Sequence, residues 1–168
     1  MQYPNWAAGQ RITAARLAAM LPTVAVKTAL QAVTSSTTLV DDDHLALPVE
    51  AGATYVLDGA VFYDGEYSAG DLKVDWAVPA GTAMRWAICG PARGGAAAYA
   101  SNSSVAGTPL DAGTYGIGGV SSLTSLRPAG QLVTTISGTL RLRWAQHNAH
   151  STPTTIHPPS WIRLQRIA

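Results

Sequence analysis

The sequence predicts an all-β protein, an antiparallel sandwich or barrel preceded by one short N-terminal helix. Three observations lead there. Short runs in which apolar and polar residues alternate recur from Val24 to the end of the chain, the period of strands with one buried and one wet face. Between the runs stand clusters of Gly, Pro, Asp and Glu, the residues that turn a chain. Before Val24 the spacing is helical instead. A chain of 168 residues is long enough for one domain with a real apolar interior.

Thr13 is placed to cap a helix running through Ala14, Ala15, Arg16, Leu17, Ala18, Ala19, Met20 and Leu21, with Pro22 ending it. Ile12 and Leu17 have the spacing of a hydrophobic staple, and Leu17, Met20 and Leu21 form one apolar stripe. So short a helix is marginal alone, so its stripe must pack on its own sandwich or dock on another protein.

Leu45, Leu47 and Val49 open the strand pattern, with Pro48 marking an edge or a strand end. Tyr55, Leu57, Val61 and Tyr63 then share a face. Leu72, Val74, Trp76 and Val78 alternate with Asp71, Lys73, Asp75 and Ala77. Met84, Trp86 and Ile88 follow, and Leu140, Leu142 and Trp144 oppose Thr139, Arg141 and Arg143. Ile162 and Leu164 close the chain as a final strand. Turns are expected at Glu50-Ala51-Gly52, Asp64-Gly65-Glu66, Pro79-Ala80-Gly81 and Pro128-Ala129-Gly130. Residues 91–125, rich in Gly, Ala and Ser, read as long loops around one or two weak strands. The domain reading is an N-terminal attachment segment over 1–22 and a β-sandwich over 23–168.

Charged residues are only 12% of the chain and the formal net charge is +1, with Lys and Arg scattered. That lacks the basic footprint of a nucleic-acid binder. Sparse charge fits a surface partly covered by neighbouring subunits. No apolar run reaches the length of a membrane span. Cys89 is the single cysteine, which excludes an intramolecular disulfide and Cys-rich zinc patterns. The opening Met1-Gln2-Tyr3-Pro4 lacks the basic start and apolar core of a signal peptide, so synthesis in a cytoplasm is expected.

Two stretches resemble a known group. The opening YPNWAAGQRITAARLAAMLP is similar to the start of small virion proteins of actinobacterial phages and prophages, often called minor tail proteins. There a Trp, a Gly-Gln pair and an Ile-Thr lead into a short helix ended by Pro. The segment DLKVDWAVPAGTAMRWAICG also fits, and the ending GTLRLRWAQHNAHSTPTTIHPPSWIRLQRI resembles the closing strands of TNF/C1q-like jelly rolls in phage fibres. The resemblance spans both ends and much of the middle, but not 91–125. It implies an antiparallel jelly-roll-like β-sandwich, a homotrimer, and a structural role in a virion, tail-associated in the first place. A head decoration protein and a carbohydrate-binding host-recognition module are the alternatives.

Candidate chemistry is weighed against plainer explanations. His147, His150 and His157 would make a zinc site if loops brought them together, but no Cys or acidic residue lies close in sequence, and exposed turn histidines are the better expectation. Asp41, Asp42 and Asp43 lack the alternating ligands and Gly of a calcium loop and read as a solvated turn. Asp64, Glu66 and Asp71 read as a polar turn rather than as a paired-carboxylate glycosidase site. No nucleophile elbow, phosphate-binding loop or metalloprotease motif occurs. The sequence therefore points to no enzyme, no metal and no cofactor. Trp76, Trp86 and Trp144 belong to the core. Trp6, Ile12, Leu17, Met20 and Leu21 concentrate apolar surface in a segment too short for its own core, and are the expected partner-binding residues. Trp161 falls off the alternation and is expected to pack between subunits or to stack on a ligand.

Overall fold

The computed structural model describes residues 8–14, 17, 20–66, 69–92, 99–112 and 123–168. These form eleven strands: β1 (Thr23–Val26), β2 (Gln31–Val33), β3 (Val40–Val49), β4 (Thr54–Asp64), β5 (Leu72–Ala77), β6 (Ala83–Pro91), β7 (Tyr99–Val105), β8 (Leu110–Ala112), β9 (Thr124–Val133), β10 (Gly138–Gln146) and β11 (Thr154–Arg166). They build two antiparallel sheets. The seven-stranded sheet has the order β1-β11-β4-β9-β6-β7, with β2 also pairing β11, and the four-stranded sheet has the order β3-β10-β5-β8.

The alternation in the sequence is what lets two sheets face each other, because every second side chain of a strand points to the same side. Leu45, Leu47 and Val49, Tyr55, Leu57, Val61 and Tyr63, Leu72, Val74 and Trp76, Met84, Trp86 and Ile88, Leu140, Leu142 and Trp144, and Ile162 and Leu164 all enter one core. Trp76 and Trp86 meet across it edge to face, ring centres 6.0 Å apart. Pro48 lies on β3, the edge of its sheet, where its missing N–H leaves no ladder partner unpaired on the open side. Gly52 and Gly81, at φ 65° and 72°, supply the left-handed residues of the β3–β4 and β5–β6 turns.

Four expectations are corrected. The N-terminal helix is not borne out as an element. Ala14 and Leu17 are helical and the Leu17 N–H donates to the Thr13 carbonyl at 3.1 Å, while Ala15, Arg16, Ala18 and Ala19 lie outside the described residues. Pro128-Ala129-Gly130 is not a turn but the middle of β9. Pro128 sits where the β4–β9 ladder skips from Asp58 opposite Ala129 to Val61 opposite Leu126, so no β4 partner stands opposite it, while on the β6 side it faces Ile88. A Cβ at Gly130 would come within 2.6 Å of the Arg85 carbonyl oxygen, so close strand approach requires glycine there.

The run Asp41 to Asp43 is not a solvated turn. It lies in β3, and Asp42 is fully buried against Lys27, whose Nζ donates to Asp42 Oδ2 at 2.8 Å. The other Asp42 oxygen accepts the N–H groups of His44 and Leu45, both at 2.9 Å. Nor are Asp64, Asp71 and Asp75 on a wet surface: each is 2% exposed. Asp64 ends β4 beside His157, and Asp75 accepts the Gly107 N–H at 3.0 Å.

Candidate interaction surface

The two sheets differ on their outer sides. Strand register places Asp41, Arg143 and Asp75 in one outer row of the four-stranded sheet, Arg141 between Ala46 and Ala77 in the next, and Lys73 between Ala145 and Asp111 in a third. Asp41 holds Arg141 Nη1 at 3.5 Å and Arg143 Nε at 3.4 Å. The Lys73 ammonium donates to the Thr37 carbonyl, and His147 Nδ1 lies 2.7 Å from Asp111. Apart from Asp75, which is buried and accepts the Gly107 N–H, this is a solvated face whose opposite charges are laid across neighbouring strands, where they attract.

On the seven-stranded sheet the outer rows read differently. One runs Val26, Trp161, Ala60; the next Val24, Arg163, Asp58, Ala129, Ala87, Ser103; the third Gln165, Val56, Gln131, Arg85, Val105. Val24, Val26, Val56, Val105 and Val133 are exposed. Where these rows cross β1, β11 and β4, their charged residues are Asp58 and Arg163, and they neutralise each other. Arg163 Nε donates to Asp58 Oδ1 at 2.8 Å and its Nη2 to the other oxygen. The Asp58 hydrogen bond, then its charge, holds the Arg163 guanidinium above its ordinary pKa. The guanidinium carbon also stands 5.9 Å from the Trp161 ring centre.

The N-terminal segment joins this face. Gln165 Nε2, on the outer side of β11, donates to the Met20 carbonyl at 2.9 Å, and β1 starts three residues later opposite Leu164. Ile12, Leu17, Met20 and Leu21 are 62%, 52%, 36% and 69% exposed, so their apolar groups lie open. Trp6 lies outside the described residues. Trp161 is half-buried on the same side. The structure describes four of the five segment residues and ties Met20, through Gln165, to the side of β11 that carries Trp161. The valines of β1 and β4 complete the surface; sequence reading missed them because an isolated outward Val in a strand looks like any strand residue.

The histidines do not converge. His147 is engaged by Asp111, His157 Nε2 lies 3.1 Å from the buried Asp64, and His150 Nδ1 accepts the Thr152 N–H. Among the described residues no three His, Cys, Asp or Glu side chains are placed to hold a metal, and no helix is long and apolar enough to cross a membrane.

No family model matches the sequence, and no curated protein matches it. Among solved structures, the chain is similar to the tripod from the baseplate of bacteriophage Tuc2009, at 10% identity and a TM-score of 0.36, over 98% of this chain and 75% of that one. A second likeness, to the structure of infectious bursal disease virus, Gt strain, has 9% identity and a TM-score of 0.23, over 88% of this chain and 42% of that one. Both scores fall below those of a shared fold.

Proposed function

We propose that this chain is a non-catalytic structural protein of a bacteriophage particle, tail-associated, which assembles as a homotrimer and is attached to other virion proteins through residues 1–22. The observation that carries the reading is the exposure of Val24, Val26 and Val56 on the outer side of the seven-stranded sheet, with Trp161 opposite Val26, together with the exposed Ile12, Leu17, Met20 and Leu21 of the N-terminal segment. Apolar area left open in this way favours burial against a partner. The paired Asp58 and Arg163 fit that use, because an ion pair already hydrogen-bonded within one subunit is less costly to cover than two lone charges.

The strand order supports the jelly-roll part of the reading. From β2 to β11 the chain changes sheet at every connection except β6 to β7, so β1-β11-β4-β9 faces β3-β10-β5-β8. The hairpin β6–β7 extends the larger sheet. The similarity of the opening and closing sequences to phage virion proteins supplies the particle.

Removing residues 1–21 separates assembly from attachment. The β-sandwich starts at Thr23 with its own core, so the truncated chain is expected to stay folded and trimeric but no longer to enter particles. Leu17→Asp combined with Met20→Asp is expected to do the same. Circular dichroism, light scattering and immunoblotting of purified particles check the three parts. A truncated chain that unfolds or becomes monomeric removes the attachment role; a wild-type chain that is monomeric at all concentrations removes the trimer.

A further inference from the structure

At the opposite end of the larger sheet, a pocket of about 440 Å³ opens between the β6–β7 hairpin and β9. Arg85 and Gln131 are cross-strand partners there, with Val105 opposite Arg85 on the other side. Ala83 pairs Val133 in the adjoining row, and Met84 lies beneath. Two features are unused by the fold. Arg85 is exposed and has neither an ion pair nor a hydrogen bond among the described residues, in contrast to Arg141, Arg143, Arg163 and Arg166, which meet carboxylates. The Thr82 hydroxyl, on the pocket wall, is buried and has no hydrogen-bond partner among the described residues. A buried hydroxyl left unpaired costs free energy that a ligand acceptor would recover.

We propose that this pocket binds the C-terminal residue of a partner polypeptide with an aliphatic last side chain. A guanidinium, a hydroxyl and an amide are donors suited to a carboxylate, and the guanidinium donates to both of its oxygens at once. The walls are small and aliphatic, with no aromatic ring on which a sugar could stack. A chain terminus carries carboxylate and side chain on the same carbon, which matches a donor cluster lying directly against Val105 and Val133. Terminal carboxylate capture is a recurrent way for a protein to recognise a chain end. The pocket lies away from β1, and it meets the proposed interface only where Gln131 stands opposite Val56, so peptide binding tests the pocket without reading assembly.

The test uses the full-length protein and two probes, N-acetyl-Ala-Val-Leu as the free acid and as the C-terminal amide, followed by amide chemical shifts. The acid is expected to give saturable shifts at Thr82, Arg85, Val105 and Gln131. The amide is expected to bind at least about 10-fold more weakly, the worth of one charge-assisted contact. Arg85→Gln should bring the acid down to the level of the amide without changing the melting temperature, and Thr82→Val should weaken it a few-fold. Equal binding of acid and amide, an Arg85→Gln protein that binds the acid normally, or no saturation by about 10 mM acid overturns the proposal.

Discussion

The outer faces of the two sheets solve the same problem in opposite ways. The four-stranded sheet meets water with Asp41, Arg141, Arg143, Lys73 and Asp111; Asp41 meets both arginines across β3 and β10, and Lys73 stands opposite Asp111 across β5 and β8. At its β1–β11–β4 end the seven-stranded sheet offers valines, Trp161 and one self-neutralised pair. Both faces belong to strands with equally well-packed inner sides, so the difference does not arise from the needs of the core. Net charge is too small for either face to act at long range. What separates them is local: one face is finished in the monomer, the other still carries apolar area whose burial would be favourable.

The largest effect should come from placing charge on the unfinished face. Val24→Asp with Val56→Asp puts two carboxylates per subunit into the proposed interface, where an unpaired buried charge costs several kcal/mol. The double variant is expected to be monomeric by light scattering and still folded by circular dichroism, since neither side chain enters the core. Ala46→Asp with Thr139→Asp, the same chemistry on the charged face, is expected to leave the mass unchanged. Loss of association in both variants would remove the distinction between the faces.

A second comparison sets the buried ion pair against the exposed ones. Lys27 follows β1 and Asp42 lies in β3, so their contact closes the seam between the sheets. Both side chains are 0% exposed. Gln31 Oε1 accepts a further hydrogen from Lys27 Nζ at 3.1 Å, and the Ser160 carbonyl holds the Lys27 N–H at 2.7 Å. Lys27→Met leaves the Asp42 carboxylate buried without its cation and is expected to destabilise the fold by about 3 to 5 kcal/mol in urea unfolding. Lys27→Met combined with Asp42→Leu removes both charges and should recover much of that loss. A single variant within about 1 kcal/mol of wild type would show that water reaches Asp42.

Much of this architecture was legible because alternation is a strong signal where Leu, Val, Ile and Trp supply it, as in Leu72 to Trp76 and Leu140 to Trp144. Failures occurred where one residue type serves two structures. Pro128 and Gly130 spell a turn locally, yet the fold uses the proline at a break in a ladder and the glycine under the Arg85 backbone. Asp42 resembles its two neighbours, and nothing local shows that Lys27, fifteen positions earlier, will reach it. The polar strand β7, with Ala, Ser and Asn, carries no alternation to read. The stripe at Leu17, Met20 and Leu21 was legible as apolar, and all three side chains are exposed in the structure. The candidate surface was half visible: the segment residues and Trp161 were, while Val24 and Val56 required the register of β1 and β4.

The smallest expected effect completes the comparison. Asp41 is 53% exposed at its side chain and stands 3.5 Å from Arg141 and 3.4 Å from Arg143, each more than a third exposed. Water screens such pairs, and holding long side chains in place opposes the attraction, so each contributes roughly 0 to 1 kcal/mol. Asp41→Asn should therefore lower stability by less than about 1 kcal/mol, and the loss should shrink in 1 M salt, where screening acts over about 3 Å. Gln31 holds the Asp41 carbonyl rather than its carboxylate, through Nε2 at 2.9 Å, so the backbone of β3 stays anchored in the variant. Urea unfolding at low and high salt checks both parts. A loss as large as that of Lys27→Met, insensitive to salt, would mean that this face is covered in the assembled protein, and that the four-stranded sheet is an interface as well.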